Sequence, residues 1–375
     1  MSTLNQFPLS KIEQAVYRLR GLFGSFGYTP YKMSKFEAYD LYLRNKSFLV
    51  SEHILTFTDH SGKLMALKPD VTLSIVKSAQ DNGTSVQKVY YNEHVYRVPK
   101  GDDHFKEIMQ MGIECVGNIC NYNVSEVLCL AAMSLAEFSQ GYVLDISHLG
   151  ILSAFLDALG AEGHVRQSIL TCVGDKNIHG IKEISQTNGL DADMTQNLCR
   201  LVGLYGESQN VMPKLYELVQ ETGCGREGFL DLSGHISDVL GVVPNAHLHI
   251  DFSVVNSMSY YNGIVFRGFL PGVHSSVLSG GQYDLLVARM GKQGGAVGFA
   301  VYLDQLEMLE DDRPTYDVDT LIVAEAATSA QALAVAYAHI QAGERVLVVY
   351  DIPKDITAKQ TIYLDKKGGE MNASV

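Results

Sequence analysis

The sequence predicts an α+β protein, in which an antiparallel sheet flanked by helices carries a helical insertion and a small α/β C-terminal domain. Two long strand-forming runs, at 86–97 and 107–117, are separated by a polar loop and predict an antiparallel pair. The stretch from about 150 to 240 instead shows helical spacing with glycines between the patches. After residue 315, strand, helix and strand patterns follow one another, which predicts one β-α-β unit.

The chain length fits this organisation. At 375 residues the chain is about two and a half times a typical domain of roughly 150 residues. We expect a core over 1–312, which contains the helical insertion at about 150–240, and a small domain over 315–375. The acidic segment 310–314 between them is typical of a linker.

Each element of the first half follows from a local pattern. Gly27 is placed to end an amphipathic first helix as its C-cap, and Asp70 to cap the start of a later helix. Asn123 and Glu126 have capping-box spacing and predict the start of a third helix. The predicted elements are a helix at 11–26, a hairpin over 54–67, a helix at 71–79, the two strands named above, a helix at 127–138 and a strand at 142–148.

The second half returns to strands after the helical insertion. Its predicted elements are helical patches at 151–159, 195–205 and 210–222, strands at 246–254 and 261–270, a short helix ending near 290, a strand at 297–309 that turns into a helix, and a final strand, helix and strand at 320–324, 329–341 and 345–350. A glycine-rich run at 279–284 follows the second of these strand regions.

Charge and composition exclude several classes of function. The chain has 29 basic and 42 acidic residues, and its net charge of -13 argues against a nucleic-acid-binding surface over the whole protein. No run of 18 apolar residues predicts a membrane span, and the N-terminus lacks the pattern of a secretory signal. We therefore expect a cytoplasmic protein that binds neither nucleic acid nor membranes.

One predicted strand carries a polar face. Alternation places Gln110, Gly112 and Glu114 on one side of the strand and apolar residues on the other. The glycine leaves space between an amide and a carboxylate about 13 Å apart at about 3.3 Å per residue. Two interpretations stay open, which are a binding face for a small polar ligand and an ordinary solvated face of the sheet.

A second polar face combines His247, His249, Asp251 and Ser253. The H-x-H spacing is compatible with a metal site, but no further cluster of ligands lies nearby in the sequence, so we interpret this face as structural and predict no metal. Gly280 and Gly281 fit neither the Rossmann nor the P-loop pattern, and neither G-x-S-x-G nor H-E-x-x-H occurs. We predict no cofactor.

Five segments, taken in chain order, resemble the catalytic core of a class II aminoacyl-tRNA synthetase of the histidyl type. The resemblance extends over 1–310 and implies that family's antiparallel sheet flanked by helices. The segments are 66–72 (ALKPDVT), which is similar to the family's L-R-P-E-x-T; 95–114, similar to motif 2; 259–266 (SYYNGIVF), similar to L-D-Y-Y-T; 280–284 (GGQYD), similar to G-G-R-Y-D; and the residues from 296 (AVGFA), similar to motif 3.

Four positions depart from the pattern of an active synthetase. Asn256, Gln282 and Gln305 stand where the family has arginine, and Val98 stands where motif 2 has a glutamate. Arginine stabilises the negative charge that develops on the α-phosphate during adenylation, and losing one such group typically costs about 10²- to 10³-fold in rate. The departures therefore imply little adenylation.

A synthetase-like core that keeps amino-acid contacts and loses phosphate contacts resembles the regulatory subunits of ATP phosphoribosyltransferase. That family implies a protein with no catalytic residues, which assembles with the short-form catalytic ATP phosphoribosyltransferase subunit into a hetero-oligomer, a hetero-octamer. In that family the regulatory subunit activates its partner and mediates feedback by histidine at the first step of histidine biosynthesis. The resemblance also implies self-association as a dimer, and the shortened C-terminal domain is compatible with it.

The resemblance further implies a histidine site made of the residues that match a synthetase's amino-acid contacts. Arg97 keeps two interpretations, as a contact for a ligand carboxylate or phosphate and as a structural ion-pair former. Two alternatives stay open for the whole chain: a divergent histidyl-tRNA synthetase or amino-acid-adenylating enzyme, and a non-enzymatic sensor or scaffold with another partner. The implied histidine-binding residues are Asp70, Thr72, Arg97, Gln110, Glu114, Tyr260, Tyr261 and Tyr283.

Overall fold

The computed structural model describes residues 10–46, 53–79, 85–98, 104–255, 261–308, 316–325, 327–352, 355–365 and 370–372. These residues fall into two compact units, one within Lys11–Leu309 and one within Met1–Ser10 together with Glu310–Val375. In the described part of the chain, each helix is too short or too polar to cross a membrane.

The larger unit combines helices with two sheets, which confirms the α+β prediction. Its α-helices are α1 (Lys11–Ser25), α2 (Tyr39–Arg44), α3 (Thr72–Ser78), α4 (Asn121–Ala136), α5 (Leu149–Ala158), α6 (Gly163–Gly174), α7 (Ile178–Thr187), α8 (Ala192–Gly203), α9 (Ser208–Thr222), α10 (Arg226–Val242) and α11 (Asp284–Arg289), and a 3₁₀ helix spans Leu303–Met308. Its strands are β1 (Thr29–Pro30), β2 (Phe36–Ala38), β3 (Thr56–Thr58), β4 (Leu64–Leu67), β5 (Val86–Arg97), β6 (Lys106–Gly117), β7 (Val143–His148), β8 (Tyr205–Glu207), β9 (Leu248–Asp251), β10 (Ile264–Phe269), β11 (Leu278–Gln282) and β12 (Gly295–Tyr302).

The main sheet contains nine strands of the described residues, in the order β1-β5-β6-β12-β11-β10-β7-β9-β8. The six strands from β5 to β7 in that order are antiparallel throughout, and β5 and β6 form the long pair predicted from the sequence. The outer pairs β1–β5 and β7–β9 are parallel, which the sequence did not predict because alternation looks the same in both arrangements. The predicted hairpin is also confirmed, since β3 and β4 pair antiparallel in a small sheet with β2.

The two faces of the main sheet differ in character. On β6, Met111 and Ile113 are fully buried and belong to a large apolar cluster with residues of α1 and α4. On the opposite face, Gln110 and Glu114 are 5% and 2% exposed. The polar face of this strand is therefore buried, and the interpretation as an ordinary solvated face is wrong.

Helix α4 begins six residues earlier than predicted, at Asn121 rather than 127. Asn123 lies within the first turn, and its side-chain oxygen accepts the Cys120 backbone N–H at 3.0 Å. Glu126 is well inside the helix, where its carboxylate pairs with Lys88 at 2.7 Å. Asn123 is therefore the third residue of the capping turn rather than the first. Glu126 does not cap the helix, because its carboxylate pairs with Lys88.

The predicted helical insertion is confirmed by the helices α5 to α10, which are joined by the short strand β8 at the edge of the sheet. A polar network connects α10 to its neighbours. The Asp231 carboxylate lies 3.2 Å from His148 Nε2 and 3.4 Å from His235 Nε2, and His235 Nδ1 lies 2.8 Å from Ser125 Oγ on α4. His148 Nδ1 accepts the Gly150 N–H, so its Nε2 carries the proton that Asp231 accepts.

The smaller unit is an α/β fold with a four-stranded sheet in the order β14-β13-β15-β16. Its elements are β13 (Val318–Val323), α12 (Ser329–Gln341), β14 (Val346–Val349), β15 (Ala358–Leu364) and β16 (Glu370–Asn372). The parallel pair β13–β14 and the helix between them confirm the predicted β-α-β unit, whereas β15 and β16 were not predicted. Thr328 caps α12 in a capping box with Gln331.

Candidate ligand-binding site

Glu114 lies at the centre of a polar site on the buried face of the main sheet. One carboxylate oxygen accepts the Thr72 hydroxyl at 2.6 Å, and the other accepts the Tyr283 hydroxyl. Thr72 is the first residue of α3, and Tyr283 immediately follows β11. The site therefore joins parts of the chain that are up to 211 residues apart, from Thr72 to Tyr283.

Burial controls the protonation of Glu114. The pKa of the carboxyl is raised to about 8, chiefly by desolvation; the hydrogen bonds from Thr72 and Tyr283 lower it, and the negative charge of Asp70 adds a smaller increase. The raised pKa favours the protonated carboxyl near neutral pH, and a cationic ligand group would favour the carboxylate.

Two glycines leave the room that this arrangement needs. A Cβ at Gly298 would overlap the Glu114 carboxylate and the Ile113 carbonyl oxygen, because β12 pairs with β6 at this point. A Cβ at Gly112 would overlap the Phe299 carbonyl oxygen and lie 2.6 Å from the Tyr91 hydroxyl. The glycine predicted to leave space on the polar face thus makes room for a tyrosine.

We expect the substitution Gly298→Ala to lower the free energy of unfolding by about 1–3 kcal/mol, the usual cost of forcing extra atoms into a packed interior. Chemical denaturation measures this change. Gly234→Ala is the matched control, since a Cβ at this position of α10 meets no atom within 4 Å. The control should gain about 0.5–1 kcal/mol, because alanine favours helix over glycine. Wild-type stability of Gly298→Ala would contradict the packing described for Glu114.

Asp70 is a second acidic residue near the site and lies just before α3. Its carboxylate accepts the Leu73 backbone N–H at 2.9 Å and so satisfies a donor of the first turn as predicted, although the N-cap position itself is Val71, one residue later. Burial raises the pKa of this carboxyl, while the Leu73 hydrogen bond and the charge of Arg97 lower it. Beside it, the fully buried Lys68 forms an ion pair with Glu93.

Arg97 and Gln110 are buried polar side chains on the same face, 8% and 5% exposed. Within the described part of the chain, neither side chain forms a hydrogen bond or an ion pair. The Arg97 guanidinium lies 5.8 Å from the centre of the Tyr302 ring, and Tyr302 is the cross-strand neighbour of Gln110. An amide and a guanidinium without protein partners are groups that a polar ligand can satisfy.

Tyrosines form the wall of the site. The rings of Tyr261 and Tyr283 meet edge to face with centroids 6.3 Å apart. Burial is the main cause that raises the pKa of Tyr261 and of Tyr91, and nearby negative charge adds to it, so both hydroxyls remain protonated hydrogen-bond donors. Tyr260, also expected in the site, lies outside the described residues.

A sequence model of the family described as histidyl-tRNA synthetase matches residues 6–306. The chain belongs to this family. Among its relatives, an ATP phosphoribosyltransferase regulatory subunit from Ruminiclostridium cellulolyticum is 24% identical over 330 residues, covering 86% of this chain and 78% of the relative.

Solved structures of other proteins share the fold of this chain. One is titled an ATP phosphoribosyltransferase regulatory subunit/histidyl-tRNA synthetase from Bacillus halodurans; it has a TM-score of 0.78 and 22% identity, covering 94% of this chain and 93% of that chain. Another belongs to an ATP phosphoribosyl transferase (HisG:HisZ) complex from Thermotoga maritima, with a TM-score of 0.62 and 19% identity, covering 78% of this chain and 97% of that chain. At these identities the likeness establishes the fold.

Two of the three positions at which the family has arginine form local hydrogen bonds. The Gln282 amide donates to Asp284 Oδ2 at 2.7 Å, and the Gln305 carbonyl oxygen accepts the Ser275 hydroxyl at 2.6 Å. Both amides are neutral, so neither supplies the positive charge of an arginine. Asn256, the third such position, lies outside the described residues.

The second polar face lies at the far edge of the sheet from Glu114. His249 Nδ1 lies 3.8 Å from Asp145, and Asp251 pairs with Lys176 at 2.9 Å. The structure thus supports ion pairing for Asp251, and in the described ranges no three His, Cys, Asp or Glu side chains are grouped to hold a metal ion.

The sequence interpretation missed three residues that shape the site. Tyr91 and Tyr302 reach it from β5 and β12, and Asp284 organises the segment that carries Tyr283. The alternation of β5 places Tyr91 on the same face as Arg97, which is a signal that could have found it. Asp284 lies within the GGQYD segment that resembles the family pattern, but its partners could not be read from the sequence because they include residues of two other segments.

Proposed function

We propose that this chain is a non-catalytic regulatory subunit that binds histidine and assembles with a short-form catalytic ATP phosphoribosyltransferase. In this role it activates its partner and transmits feedback inhibition by histidine at the first step of histidine biosynthesis. One contrast supports the proposal: the polar site around Glu114 is buried and hydrogen-bonded, whereas Gln282 stands where a synthetase has arginine and is bound to Asp284. The names of the regulatory-subunit relatives support the choice of partner.

Histidine offers groups that match the site. Its α-ammonium is a cation that binds carboxylates, and Asp70 and Glu114 are the acidic side chains at the site. Its imidazole seeks hydrogen-bonding groups, which the tyrosine hydroxyls and Gln110 provide. Among the described residues the Arg97 guanidinium has no hydrogen bond or ion pair, so it is available to contact an anionic ligand group. Thr72 and Tyr283 hold the Glu114 carboxylate in place, and we include Tyr260 in the site on the resemblance.

The chain alone should not perform adenylation. Formation of an aminoacyl-adenylate develops negative charge on a phosphate, and preorganised positive groups stabilise that charge. Neutral amides at positions 282 and 305 do not provide it. The second candidate, a divergent histidyl-tRNA synthetase, is favoured by the family to which the chain belongs, and it makes the opposite prediction.

The deciding experiment is a phosphoribosyltransferase assay of the catalytic subunit with and without this chain, titrated with histidine. We expect higher activity with the chain present and inhibition by histidine that depends on it. The chain alone is also tested for histidine-dependent exchange between ATP and pyrophosphate. Exchange would replace the proposal with the synthetase, and histidine binding without any effect on the catalytic subunit would replace it with a sensor or scaffold that has another partner.

We also propose that the chain forms a dimer within a hetero-octamer in the cytoplasm. The small sheet supports self-association, because it exposes Phe36, Phe57 and Leu64 to 47%, 37% and 46%. The rings of Phe36 and Phe57 pack edge to face with centroids 5.5 Å apart and form a ready apolar surface. Light scattering should give the mass of a dimer for the chain alone, and a monomer would contradict this part of the proposal.

A further inference from the structure

Asp284 connects three separate segments beside the candidate site. Its Oδ2 accepts the Asn262 amide at 2.9 Å and the Gln282 amide at 2.7 Å. Its Oδ1 accepts the Ala296 backbone N–H at 2.9 Å. In the other direction, the Asp284 backbone N–H donates to the Asn262 side-chain oxygen at 2.8 Å. One carboxylate thus joins the residues before β10, after β11 and at the start of β12.

We call Asp284 and its hydrogen-bond partners the hub. Two glycines leave room for its side chains. A Cβ at Gly295 would overlap Asp284 Oδ1, and a Cβ at Gly263 would overlap the Gln282 side-chain oxygen. The backbone of Asn262 also donates to the Gln282 carbonyl at 3.0 Å. The three segments are therefore held at a fixed separation by side-chain and backbone contacts together.

Each joined segment carries a tyrosine of the site next to the hub. Tyr261 immediately precedes Asn262, and Tyr283 immediately precedes Asp284. The two rings pack edge to face, and the Tyr283 hydroxyl donates to Glu114. Asp284 itself forms hydrogen bonds to the residues beside the tyrosines, so it is placed to fix their positions without contacting a ligand.

We propose that Asp284 is a positioning residue that holds the two tyrosine-bearing segments in the geometry needed to bind the ligand. This inference rests on the proposed function for the identity of the ligand, histidine. Removing the hub leaves the strand pairing and the backbone bond from Asn262 to Gln282 in place, but it releases the side-chain contacts that hold the two tyrosine-bearing segments against each other. Ligand affinity should then fall because the site must be ordered at the moment of binding.

Exchanging the side chains of Asn262 and Asp284 tests the inference. Asp284→Asn places an amide opposite the Asn262 amide, and Asn262→Asp places two carboxylates side by side. The double variant Asn262→Asp/Asp284→Asn restores one carboxylate and one amide with their positions exchanged. Histidine affinity is measured by calorimetry, the tyrosine environment by near-ultraviolet circular dichroism, and folding by thermal unfolding without ligand.

We expect each single variant to bind histidine about 10-fold more weakly, in keeping with the loss of a hydrogen bond to a charged group. The double variant should recover part of the lost affinity, since the pair of residues 262 and 284 is again complementary, although the Gln282 amide no longer has a carboxylate acceptor. A purely structural role would lower the unfolding temperature of each variant but leave affinity and the tyrosine signal unchanged in the folded protein. Unchanged affinity and tyrosine signal in folded Asp284→Asn would overturn the inference, and so would a double variant that recovers neither.

Failure of the proposed function can be distinguished from failure of the positioning role of Asp284. If the wild-type chain binds no histidine, the proposed function fails whatever the variants do. The unliganded tyrosine signal still tests the positioning role, because it should change in both single variants and recover in the double variant.

Discussion

Replacing Glu114 with alanine is expected to weaken histidine binding by about 100-fold or more. The carboxylate is 2% exposed, so the ligand group that it binds is also removed from water. Truncating one partner of a buried, hydrogen-bonded charge pair costs about 2–5 kcal/mol, and every 1.4 kcal/mol or so is tenfold in affinity. Calorimetry on the purified chain measures the change.

The pH dependence of binding gives a second readout for Glu114. Because burial raises its pKa to about 8, the carboxylate form that binds a cation is the minor form at pH 7. Affinity of the wild type should therefore rise by up to about tenfold per pH unit as the pH increases toward 8, and then level off. Glu114→Gln cannot ionise and should lose this slope.

Glu107→Gln is the matched control for Glu114. It lies on the same strand, is exposed, and accepts a hydrogen bond from Tyr96 rather than from a residue of the site. Its histidine affinity and pH slope should match the wild type. Equal affinity of Glu114→Ala and wild type, with both proteins shown to be folded by thermal unfolding, would remove Glu114 from the binding site.

Asp231→Asn should lower the free energy of unfolding at pH 7 by about 2 kcal/mol. The carboxylate interacts with His148 and His235, and these contacts, His148 first, hold the pKa of Asp231 far below its usual range. Hydrogen bonds to charged groups contribute about 1.5–3 kcal/mol, and the side chain is 33% exposed, so solvent weakens the effect. An amide at this position would also direct its N–H donors toward a histidine N–H.

The pH profile fixes the sign of this effect. An aspartate in the unfolded chain has a pKa of about 3.9, so the stabilisation by Asp231 is complete above about pH 5 and is lost progressively as the pH falls from about 4 toward the much lower pKa of the folded state. Denaturation curves of wild type and Asp231→Asn, measured from pH 7 down to 3, should therefore approach each other on the acid side. Parallel curves would contradict the role assigned to the carboxylate.

Asp157→Asn serves as the control for Asp231. Its carboxylate pairs with Arg166 at 2.6 Å, but the Asp157 side chain is 66% exposed. Exposed pairs contribute about 0–1 kcal/mol, so this variant should remain close to wild type across the same pH range. Losses of equal size in both variants would show that the buried network around His148 and His235 contributes no more to the free energy of unfolding than an exposed ion pair does.

Local patterns were sufficient for much of the fold and for part of the site. The alternation of β6 placed Gln110 and Glu114 on one face, and the position of Asp70 before an apolar run identified its capping role. Both inferences need only the geometry of a single element. The same type of reasoning misplaced the start of α4, because Asn123 can occupy either end of a capping turn and tertiary contacts of Glu126 decide between them.

The pairings that complete the site depend on sheet order, which a local pattern does not encode. The bond from Tyr283 to Glu114 requires β11 and β6 to lie on either side of β12. The Asp284 hub requires three segments to meet, and the lack of protein partners for Arg97 within the described residues is a property of the assembled face. These features follow from which strands become neighbours.

The position of β12 has a consequence for synthesis on the ribosome. This strand lies between β6 and β11, although it is the last strand of the main sheet to be made. Until Tyr302 has emerged, the growing chain can form two partial sheets with unpaired edges at β6 and β11, and such edges readily pair with other chains. The nascent chain is therefore most exposed to misassembly just before the strand that closes the sheet appears.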